Sequence, residues 1–401
     1  MHFTAEKRNV LILAAGQALF QTAGVLIMTV GGLAGLIVAA DKSLATLPIA
    51  ATMVGTMAGT VPASLLMGRI GRRAGFILGA LIGALGGGLG ALGMIQQSLP
   101  LLCAGTLLVG IYQAFAQYYR FAAAEVASAS FKSQAISLVL AGGVVAAIAG
   151  PQIGVLAKDL AGAEFAGSFL AIVVLSLMAS VLLTFIRMPS AAVVGIDSDA
   201  RPLSVIARQP KFLLALGCAA VGFGVMILAM TATPLAMVAH QHTTSDAAFV
   251  IQWHVLGMFV PSFFTGFLIA RFGVLSMMLV GALALVGHVV ISLSGLALLH
   301  FISALILLGV GWNFLYVGGT TLLTETYRSA EKAKVQALND FLIFGVVVIA
   351  SVASGWLMHG IGWMGVNLAA LPFLAATAIA IGSFMLRPPR TSEPVIGTQR
   401  S

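Results

Sequence analysis

Apolar positions run along this chain in long blocks, and polar positions gather in the short gaps between them. Twelve blocks can be read, at 10–38, 47–67, 75–95, 99–119, 135–157, 166–187, 212–238, 247–270, 274–296, 299–321, 338–359 and 364–386. A helix of about 20 apolar residues crosses a hydrocarbon layer of about 30 Å, and nearly the whole chain consists of such runs. One large soluble core is therefore excluded by length. The pattern predicts an all-α integral membrane protein of 12 transmembrane helices, called spans 1 to 12 below. The first block is too long for the core of a signal peptide and no small-residue cleavage site follows it, so no cleavable signal is expected.

Composition sharpens the picture. Of 401 residues 60% are hydrophobic and 8% charged, and mean hydropathy is +1.07. So little charge cannot keep a protein of this size in aqueous solution. The 46 glycines suit helices whose backbones approach closely in lipid. Taking the gaps alternately from the N-terminus, one set holds all but Lys42 and Lys158 of the 20 Lys and Arg. By the positive-inside rule that set, with both termini, is expected in the cytoplasm of a bacterial inner membrane. The net charge of +8 then belongs to a basic face against lipid headgroups, and nucleic acid is excluded as a partner. Cys103 and Cys218 fall on spans 4 and 7, and no pairing is expected.

The segment 188–211 carries Pro189, Pro202, Pro210, Asp197, Asp199, Arg201 and Arg208 and no apolar run. It predicts a division into a six-helix bundle at 1–187, a cytoplasmic linker at 188–211, a second bundle at 212–390 and a tail at 391–401. The halves repeat at an offset of 202 residues. Lys132-Ser-Gln-Ala overlays Lys334-Val-Gln-Ala, and Gly68-Arg69-x-Gly71 overlays Ala270-Arg271-x-Gly273. A parallel repeat of this size is what a rocking transporter needs, with its site between the halves near the midplane.

Gly68-Arg69-Ile-Gly71-Arg72-Arg73 resembles the loop signature of the major facilitator superfamily, G-x-x-x-D-R-x-G-R-R. Ser64 stands for the first Gly and Gly68 for the Asp, while Arg69, Gly71, Arg72 and Arg73 keep the turn and the basic cluster. The missing Asp implies a latch between the halves that differs from the family's. The resemblance implies two pseudo-twofold-related six-helix bundles.

No nucleotide-binding loop is present, so transport is expected to be secondary. No H-E-x-x-H, G-x-S-x-G or paired intramembrane acids mark an enzyme. Acids are nearly confined to loops. Asp340, near the start of span 11, is either a proton-coupling site or a solvated surface carboxylate. The spans do carry soft donors at helical spacing: Met226 and Met230 on span 7, His254 and Met258 on span 8. At about 1.5 Å per residue both pairs fall at overlapping depths. Thioethers with an imidazole favour Cu(I). Met28, Met53 and Met57 echo them in the first half and make a candidate second station. The plain alternative is that Met fills helix interfaces and His is a hydrogen-bonded core residue.

The M-x-x-x-M and H-x-x-x-M pairs are similar to those of the CcoA-type copper importers of the same superfamily. That resemblance implies Met226, Met230, His254 and Met258 as copper ligands. It also implies copper as the cargo, with no resident cofactor, supply of cbb3-type cytochrome oxidase assembly, and a periplasmic or cytoplasmic copper carrier as partner. Related transporters are similar to riboflavin importers, for which Tyr112, Gln113, Gln117, Trp312, Asn313 and Tyr316 offer an aromatic clamp and polar groups. A third class, a sensor that transports nothing, lacks an appended domain. His240, His242 and Asp246, in the loop after span 7, either collect metal at the mouth or form a short solvated loop, and His288, His300 and His359 read as structural.

Overall fold

The computed structural model describes residues 5–128, 131, 135, 138–139, 141–188, 201–328 and 331–386. Among them every regular element is helical. The first half holds α1 (Ala5–Val38), α2 (Leu47–Ile70), α3 (Arg72–Ile95), α4 (Leu99–Ala116), α5 (Gly142–Leu156) and α6 (Ala166–Leu183). The second holds α7 (Pro210–Ala239), α8 (Thr244–Phe259) with its continuation Ser262–Phe272, α9 (Val274–Ser294) and α10 (Leu298–Thr324). The last helical run, Lys332–Met385, breaks at Gly362, where φ is 67°, into α11 and α12. A short helix, Tyr119–Val126, prolongs α4, and another, Leu203–Ala207, precedes α7. Lys132 and most of its repeated segment, residues 189–200 (half of the predicted linker), the tail 391–401 and Arg387, Arg390 and Arg400 lie outside the described residues.

The helix ends follow local chemistry. Proline occupies the first turn of α2, α4 and α7, where its missing N–H costs nothing. Thr243 and Asp246 form a reciprocal capping box on α8. The internal repeat recurs in the backbone. Gly71 joins α2 to α3 at φ 85°, ψ 156°, and Gly273, 202 residues later, makes the same turn at φ 86°, ψ 150°. Side chains rarely adopt these angles, which explains glycine at both turns.

Span 8, read as one straight run, is instead bent by 42° between Phe259 and Ser262. Pro261 has no N–H to give the preceding turn. Asn313 of α10 reaches into the break, donating to the Met258 carbonyl (2.8 Å) and to Ser262 Oγ (2.6 Å), while Thr265 Oγ1 donates to its amide oxygen (2.6 Å). That fixes Asn313 as the pin of the bend.

Because spans alternate, the N-terminus, the Arg69–Arg73 turn and the approach to α7 fall at one end, here the basic end. The opposite end closes the seam between the halves. There Thr46 Oγ1 donates to the Ser351 carbonyl (2.8 Å), Gln152 Nε2 donates to Gln252 Oε1 (3.0 Å), and α1 meets α7 where Gly32 lies over Leu235. Side chains such as Leu65, Phe267, Ile349 and Trp356 stay more than 60% exposed around the belt. Apolar exposure on this scale belongs to a lipid-facing surface.

Candidate functional site

The second half presents an aromatic wall. Trp312 and Tyr316, four residues apart on α10, stack with centroids 5.1 Å apart and planes 10° from parallel. Phe223 of α7 stands edge-on to both, at 5.4 and 5.5 Å. Phe344 of α11 flanks Phe223 at 6.1 Å, and Phe259 of α8 flanks Trp312 at 6.5 Å. Glycines make this possible, because Gly311 and Gly318 let α9 close on one face of α10 and Gly309 lets α8 close on another. Bulk is left to the remaining face. Trp312 sits about 18 Å from the basic end of α10, near the middle of a bilayer. Its indole N–H is buried without a partner.

The first half offers a polar stripe. Gln113, Gln117 and Arg120 recur at helical spacing on α4 and its prolongation. Thr56 Oγ1 donates to Gln113 Oε1 (3.0 Å), and the Gln113 amide lies over Gly24 of α1, 2.8 Å from where a Cβ would sit. Arg120 is half-buried, its guanidinium 4.9 Å from the Phe121 centroid and its Nε without a partner. Across from it, half-buried Asp340 of α11 accepts from Asn339 Nδ2 at 3.1 Å. Arg120, Asp340 and Tyr316 lie within electrostatic reach of one another, yet no ion pair joins Arg120 to Asp340 among the described residues.

The other predicted positions fall in several settings. Tyr112 is buried inside the first half against Phe20 (5.5 Å), and Asn313 is spent on the bend in α8. Met226, Met230, Met258, Met28 and Met53 are all under 10% exposed, and Met57 is half-buried. α7 packs chiefly on α10 and the Lys332–Met385 helix, α8 chiefly on α10 and α5, so the helices that carry the two soft pairs share α10 as a partner and meet each other over a smaller interface. The His254 ring turns to α10, where its Nδ1 bonds the Leu305 carbonyl (2.8 Å), and His288 bonds the neighbouring Ala304 carbonyl (2.9 Å). Both Nε2 atoms are buried without partners. In the loop, His240 bonds the Ala236 carbonyl, His242 the Leu296 carbonyl, and Asp246 caps α8, its carboxyl held below the usual range by the Thr243 hydroxyl. Cys103 and Cys218 are free thiols. At the basic end Arg72 pairs with Glu125 at 2.8 Å and covers Tyr118, bracing the end of α4 within its own half.

Phe223, Phe259, Phe344 and Arg120 were not singled out by sequence. Arg120 had a signal, its helical spacing from Gln113 and Gln117. The phenylalanines had none, being three of 23 in apolar runs.

The Major Facilitator Superfamily profile matches residues 11–253. The riboflavin transporter RfnT of Brucella anthropi is 41% identical over 381 residues, covering 94% of this chain and 96% of that protein. Two uncharacterised MFS-type transporters of Bacillus subtilis, YdeG and YddS, are 28% and 30% identical, over 70% and 63% of this chain and the same shares of their own lengths.

Proposed function

The chain belongs to the major facilitator superfamily, and on that premise we propose that it imports riboflavin across the bacterial inner membrane by alternating access of its two halves. The observation that carries this reading is the end-to-end relation to a riboflavin transporter. The aromatic wall supports it. Riboflavin is an uncharged, planar, conjugated solute, and stacking on a ring contributes about 0.5–1.5 kcal/mol per pair beyond the area it buries. Half-buried Tyr316, backed by the stacked and buried Trp312, supplies a flat face one turn from middle depth, and Gln113 and Gln117 supply neutral donors and acceptors for a polyhydroxyl chain. Both termini lie in the cytoplasm in this reading, in keeping with the basic bias. The closed seam at the other end then makes this an inward-facing arrangement.

Riboflavin is preferred to copper as the cargo because the relative matched over 94% of this chain is a riboflavin transporter. Transport by purified protein in liposomes separates the two. Labelled riboflavin should accumulate and saturate, and Met226→Leu, Met230→Leu and Met258→Leu should import it nearly as the parent does, since such swaps usually cost under about 1.5 kcal/mol. Accumulation of Cu(I) and not riboflavin, lost in the same Leu variants, would return the site to copper.

A further inference from the structure

Arg120 and Asp340 are opposite charges on opposite halves, half-buried and not paired with each other. A guanidinium is donor-only and an ionised carboxylate acceptor-only. Arg120 keeps a buried Nε without a partner, and Asp340 accepts from its sequence neighbour Asn339 at 3.1 Å, so both retain hydrogen-bonding capacity that a bound solute can use. Tyr316 tells where such a solute lies. It is in electrostatic reach of both, and it is the outer half of the stacked pair with Trp312. Tyr316 and Asp340 are each about 12 Å from the basic end of their helices, one turn closer to it than Trp312 and Phe344. A flat solute stacked on Tyr316, the more exposed ring of the pair, therefore brings one edge to the two charges.

We propose that Arg120 and Asp340 recognise the pyrimidine edge of the flavin, each half of the transporter contributing one partner. That edge runs carbonyl, N3–H, carbonyl: acceptor, donor, acceptor. Arg120 donates to a carbonyl and Asp340 accepts from N3–H, a division neither residue can perform alone. Because one contact comes from α4 and the other from α11, the bound edge ties the halves together at the basic end, where no interhalf hydrogen bond is made among the described residues. A solute lacking the N3 proton meets a carboxylate that has nothing to accept. The inference rests on the flavin reading and names the two residues that set specificity within it.

The test is equilibrium binding to the full chain in nanodiscs, read by quenching of flavin fluorescence, with riboflavin and N3-methylriboflavin as ligands. The parent should bind riboflavin at least tenfold more tightly than the N3-methyl compound. Asp340→Ala should lose at least tenfold toward riboflavin and no longer distinguish the two, because the residue that sensed the proton is gone. Asp340→Asn, which keeps an acceptor oxygen, should retain most of the discrimination. Arg120→Gln should weaken both ligands by a similar factor and leave their ratio unchanged. Equal binding of both ligands by the parent overturns the proposal without any variant, as does discrimination that survives in Asp340→Ala. A parent that quenches neither flavin removes the substrate reading itself, and the edge recognition falls with it.

Discussion

At the scale of single residues, Trp312 is the side chain on which the flavin reading most depends. Its ring is 7% exposed, stacked on Tyr316 and braced edge-on by Phe223 and Phe259, so its plane is held before any solute arrives. Holding the plane in advance lowers the entropy lost on binding. Trp312→Leu keeps an apolar filler but removes the ring that backs Tyr316 and holds its plane. Riboflavin affinity should fall roughly two- to tenfold, the equivalent of about 0.5–1.5 kcal/mol, while Trp312→Phe should retain part of it. Fluorescence titration measures both, and an unchanged affinity in the Leu variant would move the flavin off this wall. His254 was read as a ligand or as a hydrogen-bonded core residue. Its Nδ1 serves the Leu305 carbonyl while its Nε2 is buried without a partner, an arrangement compatible with either reading, and neither spacing nor depth along a helix reveals that neighbour. Asn313 was drawn toward the cargo by composition and is claimed instead by a helix bend.

At the scale of elements, the approach to α7 is anchored by one carboxylate. Glu331 accepts from the Arg201 side chain (2.7 and 2.8 Å), the Arg201 backbone N–H (2.9 Å) and the Arg328 backbone N–H (2.9 Å). Arg201 also donates to the Thr326 carbonyl, and Lys334 donates to the Arg201 carbonyl. Enclosed by its own donors, Glu331 has no exposed side-chain surface although it sits on a loop. The Arg201 guanidinium beside it holds its carboxyl well below the usual carboxylate range. A depressed native pKa stabilises the fold above the ordinary carboxylate value and is lost as pH falls below it. Thermal unfolding should therefore show the parent losing more melting temperature than Glu331→Gln between neutral pH and about pH 3. At neutral pH the Gln variant should melt lower, since it forfeits the charge-assisted bonds. Equal acid sensitivity in the two proteins would mean that this clamp does not bear on stability.

At the scale of the whole molecule, the two halves touch at the end opposite the basic one, and transport by rocking requires that seam to open. In a parent with Cys103 and Cys218 replaced, Gln152→Cys with Gln252→Cys should be bridged by a short bifunctional thiol reagent. Bridging should stop riboflavin uptake, and reduction of a cleavable reagent should restore it. Uptake that continues while bridged would rule out opening at this seam. Orientation is tested in intact cells: cysteines at Ser98 or His359 should react with an impermeant reagent from outside, and cysteines at Arg72 or Lys332 should not. What the sequence by itself determined is the one-dimensional part: twelve apolar runs of spanning length, the steep basic bias of alternate gaps, and a 202-residue repeat that places glycine at both Gly71 and Gly273. Those features follow from bilayer thickness, backbone satisfaction and a single-residue turn, all local to the chain. The bend at Pro261 was half-written, since a proline marks the place but only Asn313, 52 residues away, says how it is held. The site was decided in three dimensions. Depth along a helix can be counted from sequence, but the direction a side chain faces depends on which neighbour packs on which side. That choice rests on glycines such as Gly309 and Gly311 admitting one helix and not another. So methionines and a histidine at one depth lie on helices that pack chiefly on others, while rings from four helices, two of them 121 residues apart, come together in one wall, because helix packing brings together what sequence separation keeps apart.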